Sequence, residues 1–174
     1  RARRDHRRDR AAGRDARRSA TARTYRYTLL PRAYPSALCG RYRVWLPFPL
    51  ALAPMAEAAA QILGTHDFSA FRAGTCTARS PIRTVLQAEW RAAGECWELE
   101  ITANAFLQQM VRLLVGAMLE VGRGRRSPAW MGELLESRDR RRTGKAAPPH
   151  GLCLLAVHYG GDGHPALGHP GNGE

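Results

Sequence analysis

The run Asn104-Ala105-Phe106-Leu107-Gln108-Gln109-Met110-Val111-Arg112-Leu113-Leu114-Val115-Gly116 is mainly apolar, with one arginine near its centre. A helix that is apolar on all sides is normally buried, so the pattern predicts a buried helix over residues 105–121. A buried guanidinium is costly unless a carboxylate and hydrogen bonds satisfy it. Arg112 is therefore expected to need an acidic partner, and no acidic motif in the chain is an obvious candidate.

Helical geometry predicts which residues lie on the same side of this helix as Arg112: Ala105, Gln108, Gln109, Val115, Gly116 and Leu119. Several of these are small or polar, so the arginine is expected to point into a pocket or groove. Two interpretations remain open from residue types alone. Arg112 either closes the core through a structural ion pair, or it orients a catalytic carboxylate or holds a phosphate.

The segments around this helix predict an α+β fold, with an antiparallel sheet and helices packed on one face. Alternating or continuous apolar patterns predict strands at residues 24–30, 84–90, 96–102 and 152–157, the last as a central strand. Helices are predicted at residues 54–63 and after Ser127, which is expected to cap the second of them. The polar loop at 64–72 contains Asp67, whose expected role is an Asx-turn or a helix cap.

Composition predicts one domain with two tails. Residues 1–18 are arginine-rich and residues 160–174 are rich in glycine, proline and histidine, so both are expected to be disordered around a domain at 19–159. No apolar run approaches the roughly 18 residues of a membrane span, and no secretory signal is recognised, which favours a cytoplasmic protein. The four cysteines lack zinc-site spacing and are expected to be buried thiols, with no metal.

The net charge of +12 favours a polyanionic partner, most simply nucleic acid. Codon bias is the alternative explanation, because Lys145 is the only lysine among 27 basic residues. A basic cluster after the last predicted helix is either a solvated face or a contact to an RNA backbone; it comprises Arg138, Arg140, Arg141, Arg142 and Lys145. Tyr25 is either a core residue of a sheet or a ring that stacks on a nucleobase.

Several strings together resemble the bacterial-type tRNA pseudouridine synthase A family. They are residues 19–27 (SATARTYRY), 63–72 (LGTHDFSAFR), 79–84 (RSPIRT), 103–106 (ANAF), 110–112 (MVR), 115–116 (VG), 119–122 (LEVG) and 147–152 (APPHGL). The resemblance runs from about residue 16 to residue 159 and covers mainly the C-terminal half of the family fold. It implies isomerisation of uridine to pseudouridine in the anticodon stem-loop of tRNA, with no cofactor or metal, by a homodimer.

The resemblance also assigns site residues. Arg112 matches the arginine that pairs with the catalytic aspartate, Tyr25 matches the tyrosine that stacks on the target base, and Leu152 matches a pocket-lining position. Four arginines in the matching strings are expected to contact RNA: Arg23, Arg26, Arg72 and Arg83.

Two departures from the family limit this assignment. The family nucleophile lies in a Gly-Arg-Thr-Asp-Ala-Gly-Val-His-Ala-type string, which the sequence does not contain, and Asp15 is not assigned to that role. Gln108 and Gln109 stand where many members carry two histidines. Three hypotheses follow: a truncated or frame-shifted synthase, a tRNA-binding protein without catalysis, or an unrelated basic RNA-binding protein.

Overall fold

The computed structural model describes residues 20–34 and 42–160 of the chain. The strands are β1 (Ala20–Pro31), β2 (Val44–Leu46), β3 (Gly64–Asp67), β4 (Ile82–Ala93), β5 (Cys96–Ala103) and β6 (Leu152–Tyr159). The α-helices are α1 (Leu52–Ala60), α2 (Met110–Gly122) and α3 (Trp130–Ser137), with short 3-10 turns at Ser69–Phe71, Arg140–Arg142 and Pro149–Gly151. The predicted tail at 1–18, residues 161–174 of the other predicted tail, and Cys39 lie outside the described residues.

Six strands form one sheet in the order β2-β1-β5-β4-β3, and β6 pairs along β1. The α+β class is confirmed, but the sheet is mixed rather than purely antiparallel, because β2 runs parallel to β1. β6 pairs with β1 only as far as Tyr27, so the same edge of β1 is open to another strand after Tyr27. The three residues of β2 occupy that edge, from Leu29 opposite Val44 to Pro31 opposite Leu46.

The two faces of the sheet differ as the alternating patterns predict. Tyr27, Leu99 and Ile101 are fully buried on the face that the helices cover. Trp90 belongs to the same core, and its indole Nε1 donates a hydrogen bond to Met118 of α2 at 3.2 Å. The opposite face carries an ion-pair network of Arg26, Arg91, Glu98 and Glu100. One apolar and one charged face is the usual arrangement of a sheet with one layer of helices.

α2 begins five residues later than predicted, at Met110. Gln109 precedes it with a φ of 63°, a left-handed conformation that a helix cannot continue through. Ala105, Gln108 and Gln109 are therefore not on the helical face of Arg112, and that prediction is wrong. Met110 and the following turns are buried, as the apolar pattern predicts.

The other two helices also differ at their ends. α1 begins at Leu52, so Pro54 falls in its first turn, where a missing amide hydrogen has little cost. The predicted cap of α3 is wrong, because Ser127 contributes its main-chain carbonyl to Trp130 and no side chain caps the helix. The predicted inner face of α3 is confirmed by the burial of Trp130, Met131, Leu134 and Leu135.

β6 is an edge strand and not the predicted central strand. Within the described residues it pairs with β1 alone, and its apolar side chains are partly open to solvent. Leu154 is 48% exposed and Leu155 is 41% exposed. The continuous apolar pattern predicted a strand with both faces buried and a neighbouring strand on each edge. Among the described residues, β6 has a neighbouring strand on one edge, and the side chains on both of its faces are partly exposed.

The described cysteines differ in exposure. Cys96 is buried and Cys76 is partly buried, whereas Cys153 is exposed, so the prediction of buried thiols is wrong for Cys153. Across residues 20–34 and 42–160, no group of three or more histidine, cysteine or acidic side chains is placed to hold a metal ion. No helix in this part of the chain is both long and apolar enough to cross a membrane.

Candidate functional site

The arginine singled out by the sequence lies on the least buried side of α2. Most side chains of α2 are buried, but Arg112, Gly116, Leu119 and Glu120 are only partly covered. These positions recur every three to four residues, so they form one stripe along the helix. The helix is buried as predicted, but the burial of Arg112 itself is only partial, because its side chain is half-buried.

A main-chain carbonyl holds the guanidinium of Arg112. Its Nε donates a hydrogen bond to the oxygen of Ala147 at 2.7 Å. In return, the amide of Ala147 donates to the carbonyl oxygen of Arg112 at 2.9 Å. Among the described residues, no carboxylate forms an ion pair with Arg112, and neither terminal nitrogen makes a hydrogen bond. The two terminal nitrogens are thus available to a ligand from outside this part of the chain.

Tyr27 lies next to this arginine in the wall of the site. Its side chain is buried, and its hydroxyl donates a hydrogen bond to the carbonyl oxygen of Pro148 at 2.7 Å. Burial raises the pKa of Tyr27 well above its usual value, and the positive charge of Arg112 opposes this in part. Tyr27 therefore stays a neutral hydrogen-bond donor at physiological pH.

Tyr25 lies two residues before Tyr27 on the same face of β1, since side chains alternate along a strand. It is half-buried, and its ring meets the ring of Phe106 in a T-shaped contact with centroids 5.1 Å apart. Leu152 of β6 is half-buried and lies opposite Tyr27, while Leu154 lies opposite Tyr25. Tyr25 and Leu152 are therefore both close neighbours of Tyr27 in the sheet, and Tyr27 is close enough to Arg112 to be affected by its charge.

Arg26, an expected RNA contact, points to the opposite face of the sheet. Its guanidinium binds Glu100 at 2.6 Å and approaches Glu98 at 3.4 Å. The hydrogen bond to Glu100 raises the pKa of Arg26, although burial acts against it. Arg26 therefore lies apart from Tyr25 and Arg112, and its RNA contact stays a prediction.

Arg72 and Arg83 hold the segment that leads into β4. Arg72 donates to the carbonyl oxygens of Cys76 and Ala78, at 2.7 and 2.8 Å. Arg83 donates to the carbonyl oxygens of Ser80 and Ile82, at 2.9 and 2.6 Å. Their main described role is structural, and contact with RNA stays a prediction for both.

Arg83 is partly buried, and Arg23 lies in a strand of the sheet. Burial lowers the pKa of Arg83, whose Nε is buried without a hydrogen-bond partner among the described residues. Arg23 is half-buried, lies opposite Ala103 of β5, and has the same alternation along β1 as Tyr25. Arg23 therefore has a strand position on the side of the site.

Asp67 is not part of this site. Its Oδ1 accepts a hydrogen bond from the amide of Ser69 at 2.9 Å, which confirms the predicted Asx-turn. Arg138 lies 3.3 Å from its other oxygen. Although burial alone would raise it, the bonds from Ser69 and the charge of Arg138 lower the pKa of Asp67. The neighbouring His66 bonds to the carbonyl of Leu63, so the two residues do not form an acid–base pair.

Three contributors to the site were missed by sequence reasoning: the carbonyl of Ala147, the hydroxyl of Tyr27 and the ring of Phe106. All three residues lie in the strings that carry the family resemblance. A main-chain acceptor has no side-chain signature, however, and a tyrosine in an alternating strand reads as core. The site therefore contains a guanidinium that has two terminal nitrogens available and aromatic rings nearby. Such a site is suited to bind a carboxylate or a phosphate next to a planar base.

Comparison with known proteins gives a consistent family. A family model described as tRNA pseudouridine synthase matches residues 58–160. The chain is 50% identical over 144 residues to tRNA pseudouridine synthase A of Methylococcus capsulatus, covering 83% of the chain and 53% of that protein. It is 43% identical over 144 residues to the protein of that name from Alcanivorax borkumensis, covering 83% and 54% respectively. The chain therefore spans about half the length of the curated relatives that it matches.

Proposed function

The chain belongs to the tRNA pseudouridine synthase family, and from this premise we propose that it supplies one side of an active site that isomerises uridine to pseudouridine in tRNA. The proposed target is the anticodon stem-loop. The reaction breaks the bond between the ribose and N1 of uracil and forms a bond between the ribose and C5. A proton leaves C5 and N1 gains one, so no cofactor or metal is required by the balance of atoms.

The contact pattern of Arg112 is the observation that carries this proposal. Its Nε is bonded to Ala147, while its two terminal nitrogens have no acceptor among the described residues. Two parallel N–H donors match the two oxygens of a carboxylate, and such bidentate pairs are strong. In the proposal this carboxylate is the nucleophilic aspartate of the family, which the arginine keeps ionised and oriented.

Tyr25 and Leu152 would form the apolar surroundings of the reacting nucleotide. Chemistry on a base requires that the base leave its stack, and an aromatic side chain can replace the lost stacking. The partly exposed ring of Tyr25, supported by Phe106, suits this role. Leu152 lies opposite the buried Tyr27 and would line the pocket on the β6 side.

The partners in this proposal follow from charge and family. A net charge of +12 supports binding to a polyanion such as tRNA. We also propose a homodimer acting in the cytoplasm, which the family resemblance implies. Arg23, Arg72 and Arg83 would contact the RNA backbone, and Arg26 would do so only from the opposite face of the sheet.

A tRNA-binding protein without catalysis is the second candidate. The observation in its favour is the net charge of +12, which favours a polyanionic partner whether or not a reaction follows binding. A chain of this kind would use the same basic and aromatic surface to bind tRNA. Its Arg112 would then hold a phosphate or remain hydrated.

Release of tritium from C5 of uracil in tRNA separates these candidates. We expect the chain to bind tRNA and to release no tritium alone. Adding the N-terminal half of the Methylococcus capsulatus relative, which would supply the aspartate, should give tritium release that Arg112→Ala abolishes. Binding without release in the mixture would favour the second candidate. If the mixture neither binds tRNA nor releases tritium, both candidate functions are contradicted.

A further inference from the structure

The connection that precedes β6 lies along α2 beside Arg112. We call residues 143–151 the strap. Ala147, in the middle of the strap, exchanges two hydrogen bonds with Arg112, one through the guanidinium Nε and one through the main chain. Ala147 is 4% exposed, so the Ala147 end of each bond is buried, and the bond from the guanidinium is partly buried as a whole. The strap therefore determines where the guanidinium lies.

A glycine on α2 allows this close approach. A Cβ atom on Gly116, one helical turn after Arg112, would lie 2.2 Å from the carbonyl oxygen of Lys145 in the strap. That distance is far below van der Waals contact, and the obstacle is main chain, which cannot rotate away. Gly132 of α3 is different, since its nearest neighbour would be Gln61 Oε1 at 3.6 Å. Any side chain at Gly116 would have to displace the strap from Arg112.

The strap is fastened at both ends. At its start, the hydroxyl of Thr143 lies 2.7 Å from the carbonyl oxygens of Ala70 and Arg140, and Thr143 is 1% exposed. Nearer its end, Tyr27 donates to the oxygen of Pro148 at 2.7 Å. These anchors lie on either side of Ala147, so the carbonyl that receives Nε is held from two directions.

We propose that Gly116 and Tyr27 are positioning residues, which act through the strap to fix the orientation of the Arg112 guanidinium. Because Ala147 occupies Nε, a carboxylate or phosphate must approach end-on, between the two terminal nitrogens. The side-on approach, which uses Nε and one terminal nitrogen, is blocked. The functional meaning of this arrangement rests on the proposed function, but the arrangement itself can be tested without it.

The direct test is the Nε–H signal of Arg112 in nitrogen-15 NMR spectra of the full chain, assigned by its loss in Arg112→Lys. We expect the Nε–H of Arg112 to exchange its hydrogen at least about tenfold more slowly than the Nε–H of Arg125, an exposed arginine. The reason is that the charged Nε–H of Arg112 donates a hydrogen bond to Ala147, which protects it from exchange. Equal exchange at the two arginines in the unmodified protein would overturn the proposal, and this measurement needs no variant that might unfold.

Two variants test the named positioning residues. Gly116→Ala should shift the Arg112 Nε–H signal and accelerate its exchange about tenfold, whereas Gly132→Ala, the matched helical control, should leave it unchanged. Tyr27→Phe keeps the ring but removes the anchor at Pro148, and it should have the same effect as Gly116→Ala. Unchanged exchange in either folded variant would contradict the role of that residue.

A separate measurement tests whether the orientation of Arg112 affects catalysis in the proposed function. In the reconstituted tritium-release assay, Gly116→Ala should lower kcat while leaving KM for tRNA close to its original value, since orientation affects the reacting groups rather than RNA binding. An equal loss with Gly132→Ala would contradict the positioning role. If no variant or unmodified protein releases tritium, the proposed function fails, but the NMR result still decides the arrangement of Arg112.

Discussion

The ring of Tyr25 stands perpendicular to the ring of Phe106, with an interplanar angle of 89° and centroids 5.1 Å apart. Phe106 lies just before α2, and Tyr25 lies in β1, so the contact connects the two elements that carry the predicted site residues. Perpendicular ring pairs are favourable and restrict rotation of both rings. The contact therefore restricts the plane of the Tyr25 ring, against which a base would stack in the proposed function.

Replacing Tyr25 should separate stacking from hydrogen bonding. We expect Tyr25→Phe to keep the affinity for tRNA, because the ring remains. Tyr25→Ala should lose about 1–3 kcal/mol of binding free energy, the usual contribution of one stacked base. Fluorescence anisotropy at one fixed salt concentration measures both, since RNA affinity depends strongly on salt. Equal affinities for the two variants would exclude a stacking role.

Arg112→Met tests whether the arginine contributes to stability. From the sequence, an unpaired arginine in an apolar setting should be destabilising, and its replacement should not lower the melting temperature. The structure reverses this expectation, because Nε has a shielded partner in Ala147. Leaving that carbonyl without a donor should lower the free energy of unfolding by about 1–3 kcal/mol. Urea unfolding measures the loss, and unchanged stability would mean that the bond contributes nothing.

The fold could be predicted from the sequence wherever burial on one face imposes a pattern. The alternating residues of β1 and β5 are an example, with Tyr27 and Leu99 buried and Glu100 on the charged face. β2 and β3 could not be predicted, because three or four residues are too few to show a period. The start of α2 was placed too early, since nothing in a glutamine signals the left-handed backbone of Gln109.

The site could be predicted only in part, for a different reason. Arg112 and Tyr25 stand out by residue type, because an arginine in an apolar helix and a tyrosine in a basic strand are unusual. The carbonyl of Ala147 is invisible in a sequence, since every residue has one. Its role depends on the path of the strap, and that path depends on the absence of a side chain at Gly116.

Thr143→Val should show how strongly the start of the strap is fastened. The hydroxyl is buried, has one hydrogen to donate and lies 2.7 Å from the carbonyl oxygens of Ala70 and Arg140. The variant removes this donor from Ala70, whereas the oxygen of Arg140 keeps the main-chain amide of Thr143. We expect a loss of about 1–3 kcal/mol in the free energy of unfolding. Thr65→Val is the matched control, because Thr65 is exposed and, within the described residues, its hydroxyl bonds only to the hydroxyl of Thr84. Equal losses for the two variants would contradict a special role for Thr143.

Gly151→Ala should destabilise the junction between the strap and β6. A Cβ atom there would lie 2.8 Å from a methyl group of Val44 and 3.0 Å from the ring of Tyr27. Both neighbours are buried, so overpacking should cost about 1–3 kcal/mol. Gly74→Ala serves as the control, since a Cβ atom at Gly74 meets nothing within 4 Å. Thermal unfolding of the two variants measures the difference, and similar melting temperatures would exclude the predicted crowding.

The dependence of stability on pH should reveal Asp67. Despite burial, the hydrogen bonds from Ser69 and the charge of Arg138 lower its pKa in the folded protein below the usual 3.8. A carboxylate whose pKa falls on folding stabilises the protein above its unfolded-state pKa, and the contribution is lost as the pH falls through the lower, folded-state value. Asp67→Asn should therefore reduce the free energy of unfolding near neutral pH. The difference from the unmodified protein should shrink once the solution is more acidic than the usual pKa of 3.8.

Glu57→Gln is the control for this experiment, because Glu57 is an exposed carboxylate on α1. Surface substitutions of this kind usually change stability by less than about 0.5 kcal/mol. Urea unfolding at neutral pH and in acid, for both variants and the unmodified protein, gives the comparison. A loss for Asp67→Asn that is the same in acid as at neutral pH would show that the amide disturbs the turn at Ser69 and that the charge of Asp67 contributes nothing.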